Sequence, residues 1–114
     1  MSKTLTAVQK LLEEKQGDNI LAIDMRKVNP FTDYFVIVTA LNNRHAASLS
    51  DALEKDAEIN GYTVRHIEGD EASPWILVDL NDVIVHIFTP EGRQMYKLEA
   101  LWSDQPSVRT EDNA

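Results

Sequence analysis

The chain has 114 residues, 43% hydrophobic and 26% charged, the composition of one ordinary globular domain rather than a collagen, a coiled coil or a disordered tail. A core at this length buries roughly two-thirds of the surface the unfolded chain exposes, and there are no cysteines to supply a thiol nucleophile, a cysteine zinc cluster or a redox switch. The formal net charge of −8 opposes binding to naked nucleic acid, because phosphate contacts need a basic footprint.

The opening stretch MSKTLTAVQKLLEEKQ mixes charge into every turn, unlike a signal peptide, and no later run reaches the roughly 18 apolar residues of a membrane span, so a soluble, cytoplasmic protein is expected. From Thr4 to Gln16, Leu5, Val8, Leu11 and Leu12 fall on one helical face, and Gly17 is the expected stop. Asn19 to Met25 reads as a short strand, and Asn29-Pro30 marks the following loop. Tyr34 to Ala40 (YFVIVTA) is almost continuously apolar and β-branched, as a central strand covered on both faces should be. Asn42 or Asn43 can cap a helix whose inner face carries Ala46, Leu49, Leu53 and Ala57, with Asn60-Gly61 as its end. Tyr62 to Ile67 reads as a strand again. This β-α-β order predicts that the strands beginning at Tyr34 and Tyr62 are parallel neighbours or near neighbours.

An acidic loop, Glu68 to Ser73, leads through Pro74 into a strand from Trp75 to Leu80. Asn81-Asp82 tolerate a tight turn, so Val83 to Phe88 should return antiparallel. Thr89 can cap the last helix with Pro90 at its first position, and Met95, Leu98, Leu101 and Trp102 form its expected buried stripe. Residues 1–102 then make the domain, and 103–114 a flexible acidic tail. The predicted fold is α/β, a five-stranded mixed sheet with three helices.

Glycines at 17, 61, 69 and 92 fit no phosphate-cradling pattern, no serine lies in a GxSxG elbow, and His45, His66 and His86 have no zinc-ligand spacing. Asp24, Asp33, Asp79 and Asp82 fall at strand ends, where they could hold a divalent ion or serve the turn backbone, and the turn role is the weightier. No cofactor or metal is expected.

The acidity is uneven. Residues 1–50 carry six basic and five acidic side chains, residues 51–114 five and fourteen, a surplus that in most proteins only keeps the chain in solution but that would also steer a basic partner and repel RNA. Within the acidic half, Trp75, Leu77 and Asp79 share one face of their strand, opposite the aliphatic Ile76, Val78 and Leu80. A large aromatic beside a carboxylate is typical of a protein contact surface, the weightier reading, with Trp75 packed under a helix as the alternative. His86, inside VIVHIF, is either a satisfied strand histidine or an interface residue. Arg93 and Tyr96 lie one turn apart on the last helix, with Glu99 off its core stripe. The candidate contact surface is therefore Trp75, Asp79, Asp82, His86, Arg93, Tyr96 and Glu99.

The motifs DYFVIVTA, NNRH, Glu68-Gly69, Trp75, Asp79, NDVIVHIF and the run from Glu91 through Arg93, Tyr96, Leu98 and Glu99 to Trp102 occur in that order. Together they resemble the Iojap family of ribosomal silencing factors over about Leu5 to Trp102. Asn42-Asn43 stand where that family usually has two serines, and both residue types cap helices. The resemblance implies a nucleotidyltransferase-like sheet without enzymatic activity, since the Gly-Ser and paired Asp-x-Asp of such enzymes are missing. It also implies binding to the large ribosomal subunit through ribosomal protein L-fourteen, a block to joining of the small subunit, lowered translation when nutrients run short, and a homodimer when free. The alternatives are a nucleotide- and metal-binding protein and an adaptor for some other basic protein.

Overall fold

A computed structural model describes residues 2–110. Its elements in chain order are α1 (Lys3–Glu14), β1 (Asp18–Asp24), β2 (Tyr34–Thr39), α2 (Asn43–Asn60), β3 (His66–Glu68), β4 (Trp75–Asp79), β5 (Val83–Phe88), α3 (Pro90–Tyr96), α4 (Leu98–Leu101) and β6 (Ser107–Arg109). The strands form one mixed sheet in the order β3-β4-β5-β2-β1-β6. Among the described residues only β2 and β5 pair in parallel; every other ladder is antiparallel. Among the described residues, no helix is long and apolar enough to cross a membrane.

The two helices expected first form as their periodicity dictates. Ser2 caps α1 through its hydroxyl, which accepts from the Leu5 amide, and Leu5, Val8, Leu11 and Leu12 are buried. Asn42, not Asn43, caps α2 by accepting from His45 N–H at 2.8 Å, and Gly61 ends it in the left-handed conformation. His45 then ties the helices together: its Nδ1 accepts from Leu41 N–H at 2.9 Å, which leaves the proton on Nε2 to donate to the Lys15 carbonyl at 2.9 Å. Both helices cover one face of the sheet. There Val36, Val38, Ile76, Val78, Val83, Val85 and Ile87 pack into an aliphatic core with Leu12, Leu49 and Leu53.

Four expectations are corrected. Gly17 is not the residue that turns the chain after α1, since the positive φ belongs to Gln16 (66°). Gly17 is needed for close approach instead, because a Cβ there would lie 2.7 Å from Val38 Cγ2 and 3.0 Å from the Leu12 carbonyl oxygen. The strand expected over Tyr62 to Ile67 is only His66–Glu68, and it runs parallel to β2 but at the edge of the sheet, with β4 and β5 between them. The β-α-β rule gives the direction; burial gives the place. The apolar β5 takes the central position beside β2, while β3, with His66 and Glu68 exposed, suits an edge.

The third helical segment is broken at Lys97, which adopts a left-handed φ of 46° between α3 and α4. The break removes the expected stripe: Leu98 is buried, but Met95 and Leu101 are about 70% exposed, at 69% and 71%. Finally, the sheet has six strands, not five. Residues 107–109, expected in a flexible tail, pair with β1, and Arg109 donates to the Asn19 side chain. A polar edge strand held by backbone bonds carries no hydrophobic signature to read. Residues 111–114 of the expected tail lie outside the described residues.

The Gly17 contact gives a direct check. Gly17→Ala should lower stability by about 1–3 kcal/mol, because either Val38 or the end of α1 must move; urea unfolding would read it, and an unchanged midpoint would mean that Val38 gives way at no cost.

Candidate functional site

The face of the sheet opposite α1 and α2 is only partly covered, and it is rich in aromatic rings. Register places Trp75 opposite Phe88, Leu77 opposite His86, and His86 opposite Ile37, so the strand parity read from the sequence holds. Ile76, Val78 and Leu80 are fully buried on the other side. Across this face the rings form a continuous band, with Tyr96 and Trp75 4.9 Å apart between centroids, Trp75 and His86 5.7 Å, His86 and Phe35 4.6 Å, and Phe35 and Trp102 6.2 Å. Phe88 lies beneath the first pair, 5.0 Å from Trp75 and 6.0 Å from Tyr96. Tilted and edge-on pairs at these separations are the favoured aromatic geometries.

Tyr96 reaches Trp75 because α3 is pressed onto the start of β4. Thr89 caps α3 by accepting from Gly92 N–H at 3.1 Å, and Pro90 sits at its first position, as the sequence predicts. The same Thr89 donates its own N–H to the Pro74 carbonyl at 3.1 Å. Gly92 permits the contact: a Cβ there would lie 2.4 Å from that carbonyl oxygen. Between α3 and the β3–β4 loop lies a groove of about 360 Å³, walled by Glu68, Gly69, Pro74, Trp75, Leu77 and Tyr96.

The seven residues singled out from the sequence separate into three groups. Trp75 and Tyr96 come together at the surface, with Tyr96 45% exposed and Trp75 partly buried. Trp75 packs against Tyr96 of α3, as the helix-packing reading expects, and also lines the groove. His86 and Arg93 are corrected: they are buried, 3% and 7% exposed, and a partner cannot touch them without unpacking the domain. His86 Nδ1 accepts the Trp75 indole N–H at 3.1 Å, and burial pushes its pKa down to about 4. Arg93 donates from Nε to Glu99 Oε2 at 3.0 Å, and from Nη1 to the Asn19 carbonyl at 3.0 Å and Thr39 Oγ1 at 2.9 Å. Glu99 is thereby held inward beside it.

Asp79 and Asp82 form the third group, at the far end of the β4–β5 hairpin. Asp79 accepts from Asn81 N–H at 2.8 Å, stabilising a turn in which Asn81 has a φ of 78°. Asp82 accepts from the Ser2 hydroxyl at 3.0 Å, and its carbonyl takes the amides of Asp33 and Tyr34. Asp24 is gripped by Arg26 through two side-chain bonds, which hold its pKa down to about 2. Among the described residues, no three His, Asp or Glu side chains are grouped to hold a metal ion. Glu68, the acidic wall of the groove, was not among the candidates. Its local signals were the acidic run ahead of Pro74 and the Glu68-Gly69 motif.

The protein family described as ribosomal silencing factor during starvation matches residues 1–114. A ribosomal silencing factor of Bacillus subtilis is 36% identical over 94 residues, covering 82% of this chain and 80% of that protein. The chain belongs to the ribosomal silencing factor family. A mouse protein named mitochondrial assembly of ribosomal large subunit protein 1 is 31% identical over 82% of this chain, which spans 42% of that longer protein. In a crystal structure of a Chromobacterium violaceum protein, 28% identical, the fold superposes with a TM-score of 0.85 over 90% of this chain and 88% of that one. On this silencing-factor fold, DYFVIVTA forms β2, NDVIVHIF the hairpin turn and β5, and NNRH the start of α2, while the run from Glu91 to Trp102 supplies α3, Arg93 and Tyr96.

Two results are expected from the buried pair. Arg93→Lys keeps the charge but cannot reach Glu99, Asn19 and Thr39 together, and should lower stability by about 2–3 kcal/mol in urea unfolding. For His86, the unfolded chain takes up its proton near pH 6.5 and the folded one only near 4, so the unfolded state binds more protons in that window. Stability should therefore fall as pH drops through it, by up to about 1.4 kcal/mol per pH unit. His86→Phe should lose that part of the slope, and an identical slope in the variant would place the titration elsewhere.

Proposed function

We propose that this protein represses translation by occupying the large ribosomal subunit, docking through the Trp75–Tyr96 face on a basic ribosomal protein, L-fourteen, so that its bulk keeps the small subunit from joining. The observation that carries the reading is the groove itself: two aromatic rings 4.9 Å apart, open to solvent, with Glu68 in the same wall. Such a site suits a lysine or arginine side chain, which an aromatic face attracts through its quadrupole and a carboxylate through its charge. The excess of acid in residues 51–114 steers basic protein toward this half and rRNA away from it. Silencing by obstruction requires occupancy and size but no reacting group, in keeping with a site whose polar atoms serve packing. The same reading takes the free protein to be a cytoplasmic homodimer and its action to belong to nutrient limitation.

Purified protein should pellet with isolated large subunits and not with small ones, and adding small subunits should then give fewer joined ribosomes. Trp75→Ala or Tyr96→Ala should each weaken that binding by on the order of 2 kcal/mol, about thirtyfold in Kd, in a protein that still unfolds cooperatively. Protein that stays in the supernatant with both subunits would end the proposal and favour an adaptor for another basic protein.

A further inference from the structure

The orientation of Trp75 is set from below. Its indole N–H donates to His86 Nδ1 at 3.1 Å across the β4–β5 ladder. An Nδ1 that accepts leaves the histidine proton on Nε2, and this buried Nε2 has no hydrogen-bond partner. Burying an unpaired N–H is unfavourable. Packing alone does not ask for it, because His86 lies edge-on to Phe35 at 4.6 Å and 5.7 Å from the Trp75 ring, surroundings that a phenylalanine would fit without an orphaned polar atom of its own. What a phenylalanine could not do is accept the indole proton. The indole has only that one donor. With it turned inward, the part of Trp75 that faces the groove is a π-surface, beside Tyr96 and Glu68.

We propose that His86 is a positioning residue for docking: by accepting the indole proton it fixes the Trp75 ring beside Tyr96 in the orientation that receives a cationic side chain, and withdraws the one donor that a phosphate or carboxylate oxygen would use. The inference rests on the docking face proposed above, and its test separates the two. Full-length wild type, His86→Phe, His86→Asn and Trp75→Ala would be titrated against isolated large subunits, and the thermal midpoint of each measured. His86→Phe should melt no lower than wild type yet bind at least tenfold more weakly. His86→Asn, whose Oδ1 can take the place of Nδ1, should melt lower yet bind more tightly than the phenylalanine variant.

Affinity and stability then move in opposite directions, which a merely structural histidine would not produce. If His86→Phe binds within twofold of wild type while Trp75→Ala is weakened, the positioning role is overturned and the docking face stands. If Trp75→Ala binds like wild type, the docking face itself fails and the inference falls with it. Should His86→Phe not fold, hydrogen exchange at the indole of Trp75 in the ¹⁵N-labelled wild-type protein decides: protection supports the bond, and exchange at the rate of a free indole overturns the role.

Discussion

The guanidinium of Arg93 fastens the helical segment after β5 to the sheet, and the geometry of the exposed face follows from where it is fastened. One side chain reaches the carbonyl of Asn19, the hydroxyl of Thr39 and the carboxylate of Glu99, so it joins the bulged start of β1, the end of β2, and both halves of a broken helix. A fixed fork with donors in several directions can do this where a single ammonium cannot. Asn19 is held from a second side by Arg109, so the irregular entry to β1 is a junction of three strands and a helix. With α3 held at two adjacent residues, by the close contact of Gly92 with Pro74 and by the hydrogen bonds of Arg93, Tyr96 at its end is set against Trp75.

The two faces of the sheet are built on different principles. The side under α1 and α2 is aliphatic and buried. The other side is aromatic and laced with polar atoms, and it is covered by a segment of one helical turn after another rather than by a long helix. Such a cover leaves large rings at the surface without unfolding the core beneath them. For a protein proposed to sit on a partner, the division is useful: the aliphatic layer carries none of the proposed contacts, while the aromatic layer combines a second core and the Arg93 network with exposed rings.

Much of this was legible in the sequence, and what was not shares a cause. Period-two alternation revealed the parity of β4, and the Asn81-Asp82 pair its turn. Capping residues marked both ends of α2 and the start of α3. These are local signals, each contained in a few residues. The place of β3 at the sheet edge, the pairing of β6, and the burial of His86 and Arg93 depend on partners far along the chain, 74 residues away for Arg93 and Asn19. A polar side chain satisfied at such a distance looks, in sequence, like one meant for solvent. The break at Lys97 belongs with them, since nothing about a lysine announces a positive φ, and tertiary contacts on either side impose it. Arg93 and His86 stood out both from their local pattern and among the silencing-factor motifs, but neither signal placed them inside the domain.

The single parallel ladder, β2 with β5, also governs how the molecule comes together. Closing it requires the chain from Thr39 to Val83 to return on itself, a loop whose ends cost roughly 3 kcal/mol of entropy to bring together before the first contact compensates. The β4–β5 hairpin and α2 can form locally; the central ladder waits for them. Arg93 finds Thr39 and Asn19 as neighbours only after that ladder has closed and β1 has joined it. On a ribosome, which releases residues in order, the face carrying Trp75 and Tyr96 thus matures late, after β1, β2 and β5 have all emerged and paired.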